Sequence, residues 1–104
     1  MLDLLNDLER LIKNERQRAD KIHPPVFNSN HEAYAVIYEE LDEAQDEEEF
    51  FSIGIKKLWD LIKRDEKCEE LYRVMYTIAL RACAEWLQVA AMCEKAIESE
   101  GKND

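Results

Sequence analysis

Residues 30–63 read NHEAYAVIYEELDEAQDEEEFFSIGIKKLWDLIK, and within them Tyr34, Ile37, Leu41, Ala44, Glu48, Phe51, Ile55, Leu58 and Ile62 follow one another in alternating steps of three and four. Such steps keep side chains on one face of an α-helix, so the stretch predicts a single long helix whose apolar seam has one charged intruder, Glu48. Gly54 does not end it, because a lone glycine costs only about 1 kcal/mol in a helix interior. Immediately upstream, Ser29 and Glu32 form a capping box that satisfies backbone donors of the first turn. The second helix of the chain is therefore expected over residues 30–63.

Working outward, Leu71, Met75, Ile78, Ala82, Glu85, Val89, Met92 and Ala96 repeat the same steps. They predict a third helix over residues 67–98, with a turn near 63–67 and a frayed tail from Gly101 to Asp104. On the other side, Leu4, Leu5, Leu8, Leu11 and Ile12 predict a first helix over residues 2–21, stopped by Pro24-Pro25. Each long helix would extend about 50 Å at 1.5 Å per residue, far beyond a compact domain of about 13 Å radius of gyration. The expectation is an elongated antiparallel hairpin with Trp59 and Tyr72 in its core near the turn. Helix 1 is too short to cover both seams, so a homodimer completing a four-helix core is expected.

Composition agrees with a single all-α domain. The 104 residues include only two glycines and two prolines, too few turn-formers for a multi-stranded sheet. With 24 acidic against 14 basic residues the net charge is −10, which argues against sequence-independent nucleic-acid binding and is compatible with holding a divalent cation. No stretch is long and apolar enough for a membrane span and no basic leader opens the chain, so a cytoplasmic protein is expected. Cys68, Cys83 and Cys93 have no zinc-site spacing and read as core thiols in a reducing compartment.

The carboxylates carry the chemistry. Glu40 and Glu43 lie three residues apart on one helical face, and Glu39 neighbours Glu43 four residues away. Glu85 occupies a seam position in helix 3, with Gln88 one turn on. The pairs Glu40–Glu43 and Glu85–Gln88 are equidistant in sequence from Arg64, so folding the hairpin there sets them at one level. Carboxylates converging in this way repel unless a cation joins them, and hard oxygen donors suit magnesium or manganese. The run Asp46-Glu47-Glu48-Glu49 reads instead as a solvated face, and His31 as a residue of the helix start. No nucleophile–base arrangement is visible, and with only Gly54 and Gly101 there is no glycine-rich phosphate loop.

At these residues the sequence resembles the MazG-like nucleoside triphosphate pyrophosphohydrolases, whose signature is E-E-x-x-E on one helix and E-x-x-D on the next. Glu39, Glu40 and Glu43 match the first half and Glu85 the start of the second, while Gln88 stands where the pattern has aspartate. The wording from His31 to Val36 and from Gln88 to Met92 is similar to the small phage and prophage members. The resemblance implies an all-α fold of helical hairpins assembling as dimers or tetramers, and magnesium-dependent cleavage of a nucleoside triphosphate to the monophosphate and pyrophosphate. It implies Glu40, Glu43 and Glu85 as metal ligands, Gln88 as a neutral fourth ligand, and Glu39 as a ligand or water-orienting base. Trp86 is then a candidate for stacking on a nucleobase, and Lys13, Arg16 and Arg18 of helix 1 for meeting phosphates if that helix packs near the acidic cluster. A different class, a non-catalytic helical oligomerisation or adaptor protein of phage or prophage origin, is the alternative.

Overall fold

The computed structural model describes residues 1–102. Their three helices are α1 (Leu2–Asp20), α2 (Asn30–Lys63) and α3 (Glu69–Lys102), with no strand among the described residues. The bounds of α2 coincide with those expected. Its first turn is capped by Ser29 Oγ, which accepts from the Glu32 N–H at 3.2 Å. The Glu32 carboxylate reaches back one residue further than a standard capping box, accepting from the N–H and side-chain amide of Asn28. Helix α3 corrects the sequence expectation at both ends. It starts two residues later, because Arg64–Cys68 is used by the turn, and it runs through Gly101 to Lys102. Glycine terminates a helix by taking a left-handed conformation, and no glycine here has a positive φ. The remainder of the expected frayed tail, Asn103 and Asp104, lies outside the described residues.

The turn closes α2 with a Schellman motif. The Glu66 N–H donates to the Leu61 carbonyl and the Asp65 N–H to that of Ile62, both at 3.0 Å, while Asp65 holds φ at 54°. From there α3 returns antiparallel to α2. Its buried and half-buried row is Leu71, Met75, Ile78, Ala82, Glu85, Val89, Met92 and Ala96, the seam expected from the sequence. On α2 the row facing α3 is Ala33, Ile37, Glu40, Ala44, Glu47, Phe51, Gly54, Leu58 and Leu61. Half of the expected seam is kept; the other half is displaced by one residue, so Tyr34, Glu48, Ile55 and Ile62 sit on the flank instead. Gly54 lets Met75 approach closely, since a Cβ placed there would lie 3.0 Å from Met75 Cγ.

Helix α1 packs on α3 and not on α2, running parallel to α3 along its C-terminal half. Arg16 is the tie: buried at 5% exposure, it donates to Glu94 at 3.1 Å and Glu98 at 2.9 Å. The connection to α2 folds back over the same end, where buried Phe27 donates its N–H to Ser99 Oγ at 2.7 Å and its ring lies 4.4 Å beneath Lys95 Nζ. The molecule measures 61 × 30 × 24 Å with a radius of gyration of 17.8 Å, the elongated hairpin expected. Its single-chain core is thin. Trp59 and Tyr72, expected inside, are 58% and 53% exposed, and Cys83 and Cys93 are exposed while Cys68 is half-buried. Small and acidic residues, Ala33, Glu40, Ala44, Glu47 and Gly54, take about half of the α2 row that meets α3, and large side chains next to them in sequence, Tyr34, Ile55 and Ile62, stay outside. No helix among the described residues is long and apolar enough to cross a membrane.

Candidate metal centre

Glu40 faces α3 from the α2 row, Glu43 lies three residues on at its edge, and Glu85 faces α2 from the α3 seam. The antiparallel register brings the three to one level, where each offers a carboxylate oxygen and all three oxygens lie within 4.8 Å of one another. None of the three takes part in an ion pair with another described residue. The electrostatic result is legible on two of them. Burial, then Glu43, Glu85 and Glu39, push the Glu40 carboxyl above its ordinary value. Glu85 is pushed up by burial, by a shared hydrogen bond and charge from Glu43, and by Glu47. Such a site gains either by taking up a proton or by binding a cation. Carboxylate oxygens this close suit a hard divalent ion.

The remaining candidates fall in different places. Glu39 is exposed beside the cluster and adds to its negative field. Gln88 is half-buried and donates its amide Nε2 to Glu15 Oε1 at 2.6 Å, so its amide oxygen is what remains for a cation. Trp86 lies on the other flank of the hairpin from Gln88, with its indole Nε1 donating to Glu48 at 2.9 Å. Lys13 is exposed on α1. Arg16 is buried and committed to Glu94 and Glu98 on α3, outside the walls of the cavity described below.

Two features were missed in the sequence. A cavity of about 550 Å³ adjoins the acidic level, with Glu40, Gln88, Glu15, Arg18, Phe27 and Lys95 among its walls. The basic groups on its walls are Arg18, one of the three candidates from α1, and Lys95, which the sequence did not single out; Lys13 and Arg16 do not line it. The second is Glu47, assigned from sequence to a solvated acidic run. Its side chain is only 16% exposed and it pairs with Arg81 at 3.2 Å. The signal was present, because Glu47 follows Glu40 by seven residues and so shares its position on the helix.

Comparison with models of known protein families, with curated proteins and with solved structures finds no match.

Proposed function

We propose that the chain is a magnesium- or manganese-dependent nucleoside triphosphate pyrophosphohydrolase of the MazG-like, phage or prophage type, working in the cytoplasm as a homodimer. The observation that carries this reading is the convergence of Glu40, Glu43 and Glu85 from two helices beside a cavity bearing Arg18 and Lys95. A volume near 550 Å³ falls in the range of small-molecule sites. Glu40, Glu43 and Glu85 would hold the ion, with the Gln88 amide oxygen as a neutral addition. A divalent ion bound there supplies Lewis-acid polarisation of phosphate oxygens and a bound water of lowered pKa.

The chain's own groups do the rest. Lys95 and Arg18 bind phosphate oxygens from the cavity wall, and Glu39 at the rim accepts the proton of the attacking water. The water oxygen bonds to the α-phosphorus, the bridging α–β P–O bond breaks, and pyrophosphate departs with the bonding pair. Three unpaired cysteines suit a reducing cytoplasm.

The tie between Gln88 and Glu15 favours one second reading, a relative that binds metal or nucleotide without turning it over or acts as a helical adaptor. A panel of nucleoside triphosphates with magnesium or manganese, read by pyrophosphate release, decides between them. Release that disappears in Glu43→Gln supports the enzyme. Silence across the panel with a retained metal-induced rise in melting temperature supports the binding relative, and loss of both leaves the adaptor.

A further inference from the structure

A second groove lies on the hairpin nearer its turn. Phe50 and Lys57 follow Glu43 in seven-residue steps along α2, and Arg81 and Val74 precede Gln88 in the same steps on α3, so both lines continue the side of the hairpin that carries Glu43 and Gln88. Between them is a cavity of about 520 Å³ floored by Phe50, Ile53, Leu71, Val74 and Ile78. It shares Lys57, Leu71 and Val74 with a further cavity of about 390 Å³ at the turn, and the two make one apolar groove. Along α2 it runs from Phe50 to Arg64, about 20 Å at 1.5 Å per residue. Phe50, Ile53 and Val74 are 51%, 46% and 47% exposed, a contiguous apolar strip left in water.

The charge of this groove runs against that of the chain. The molecule carries −10 overall, yet the groove is edged by Lys57, Arg64, Lys67, Arg73 and Arg81 against only Asp60 and Glu70. These cations are not equally engaged. Arg73 pairs with exposed Glu69 at 2.9 Å, Arg81 with Glu47 at 3.2 Å and Arg64 with Glu66 at 3.9 Å. Lys57 and Lys67 enter no ion pair among the described residues, and Lys57 stands where the two cavities meet. The complement of such a groove is a row of apolar side chains with carboxylates beside it.

Shape selects a helix as the occupant. The groove is a trough between two antiparallel helices, and no residue of α1 or of the connection after it lines either cavity. A small molecule would keep one side in water there, whereas small-molecule sites enclose most of their ligand. A helix laid in the trough buries its apolar stripe against both walls. A second copy has no loose helix to offer, since α2 and α3 pack on each other and α1 is tied to its own α3 by Arg16. We propose that this groove docks an acidic amphipathic helix of a different protein, about 14 residues long, whose carboxylates meet Lys57 and the arginines of the rim. The proposal does not rest on the enzymatic reading.

The test uses the full chain and two fluorescein-labelled, helix-stapled peptides that share one leucine stripe, flanked by glutamates in the first and by lysines in the second. Fluorescence anisotropy is expected to show saturable binding of the glutamate peptide, weakening as salt rises, and binding of the lysine peptide at least about tenfold weaker. The contrast is sharp because a chain of net charge −10 attracts the lysine peptide non-specifically, so the opposite preference needs a local basic site. Lys57→Glu should reverse the preference. Val74→Asn should weaken binding of the glutamate peptide by roughly tenfold, and Ile55→Asn, equally exposed on the other flank, should leave it unchanged. Helical circular dichroism identifies a variant that has failed to fold, and the comparison of the two peptides on the native chain needs no variant. Absence of saturable binding of the glutamate peptide up to about 200 µM, roughly a hundredfold above micromolar affinity, overturns the proposal. So does tighter binding of the lysine peptide, or binding that Ile55→Asn weakens and Val74→Asn does not. Self-association in sedimentation that Val74→Asn abolishes also overturns it, by giving the groove to a second copy.

Discussion

Gln88 on α3 donates its amide to Glu15 on α1 at 2.6 Å, one turn from a glutamate whose oxygen lies within 4.8 Å of two others. The residue that departs from the acidic pattern thereby couples the first helix to the candidate metal level. An aspartate at this position would meet Glu15 as a like charge.

Gln88→Asp should accordingly lower the stability of the metal-free protein and enlarge its response to metal. Glu15, held below its ordinary value first by Arg18 and then by Gln88, loses the second of these bonds, while the cluster gains a fourth anionic donor. Thermal melts of the parent and the variant, with EDTA and with 5 mM magnesium (about tenfold above a weak site's Kd), measure both effects. Occupancy at ten times Kd is worth about 1.4 kcal/mol, several degrees in a domain of this size.

Removing a cluster charge should act in the reverse sense. Glu85→Gln is expected to raise the melting temperature in EDTA and to abolish the shift on adding magnesium or manganese, because it deletes one of several mutually repelling carboxylates and one ligand together. Equal metal shifts in the parent and Glu85→Gln would leave the acidic level without a metal role.

The pH dependence of stability has two components of opposite sign. Glu40 and Glu85 have raised folded values, so the folded chain holds their protons longer than the unfolded chain does. Their contribution is full below the ordinary carboxylate value of about 4.3 and is lost as pH rises through the folded values. Glu15 is held low by Arg18 and then by Gln88; its contribution is present above about 4.3 and lost as pH falls through its folded value. Urea midpoints from pH 3 to 7 should therefore fall less steeply above pH 4 in Glu85→Gln, and Glu15→Gln should remove part of the loss seen on acidification.

Arg16 anchors α1 through buried bonds to partly exposed partners, Glu94 and Glu98. Arg16→Ala should cost about 2–3 kcal/mol, less than a fully buried pair because the carboxylates regain water. Hydrogen exchange is expected to accelerate along α1 while α2 and the first half of α3 keep their protection. Uniform acceleration across all three helices would show that α1 does not dock as a separable unit.

At the turn, Asp65 occupies a left-handed position at φ 54°. Asp65→Asn or Asp65→Gly should be neutral or stabilising by up to about 1 kcal/mol, and Asp65→Ile destabilising by about 1–2 kcal/mol, since a β-branched side chain clashes there. Chemical denaturation of the three variants separates these outcomes.

The α3 seam was legible because its large apolar residues are the ones that face α2. The row of α2 that meets α3 was half hidden for the opposite reason. Ala33, Glu40, Glu47 and Gly54 are small or acidic and carry no hydrophobic signal, whereas the neighbouring line of Tyr34, Leu41, Ile55 and Ile62 carries a strong one and lies on the flank. Periodicity reports which residues avoid water, and in a thin hairpin these are not all turned toward the nearest helix. The meeting of Glu40, Glu43 and Glu85 followed from register alone. The places of Arg18 and Lys95 did not, because they depend on how the connection at Phe27 folds back over the end of α3.

The docking of α1 also sets a schedule. Its anchor Arg16 is made well before the carboxylates that hold it, at Glu94 and Glu98, which are separated from it by 78 and 82 positions. At about 5–20 residues per second the helix waits roughly 4–16 s on the ribosome for its partners. Leu4, Leu5, Leu8 and Leu11, still exposed after docking, are uncovered throughout that interval. The nascent chain thus presents a leucine-rich amphipathic segment before the helix that holds it in place has been made.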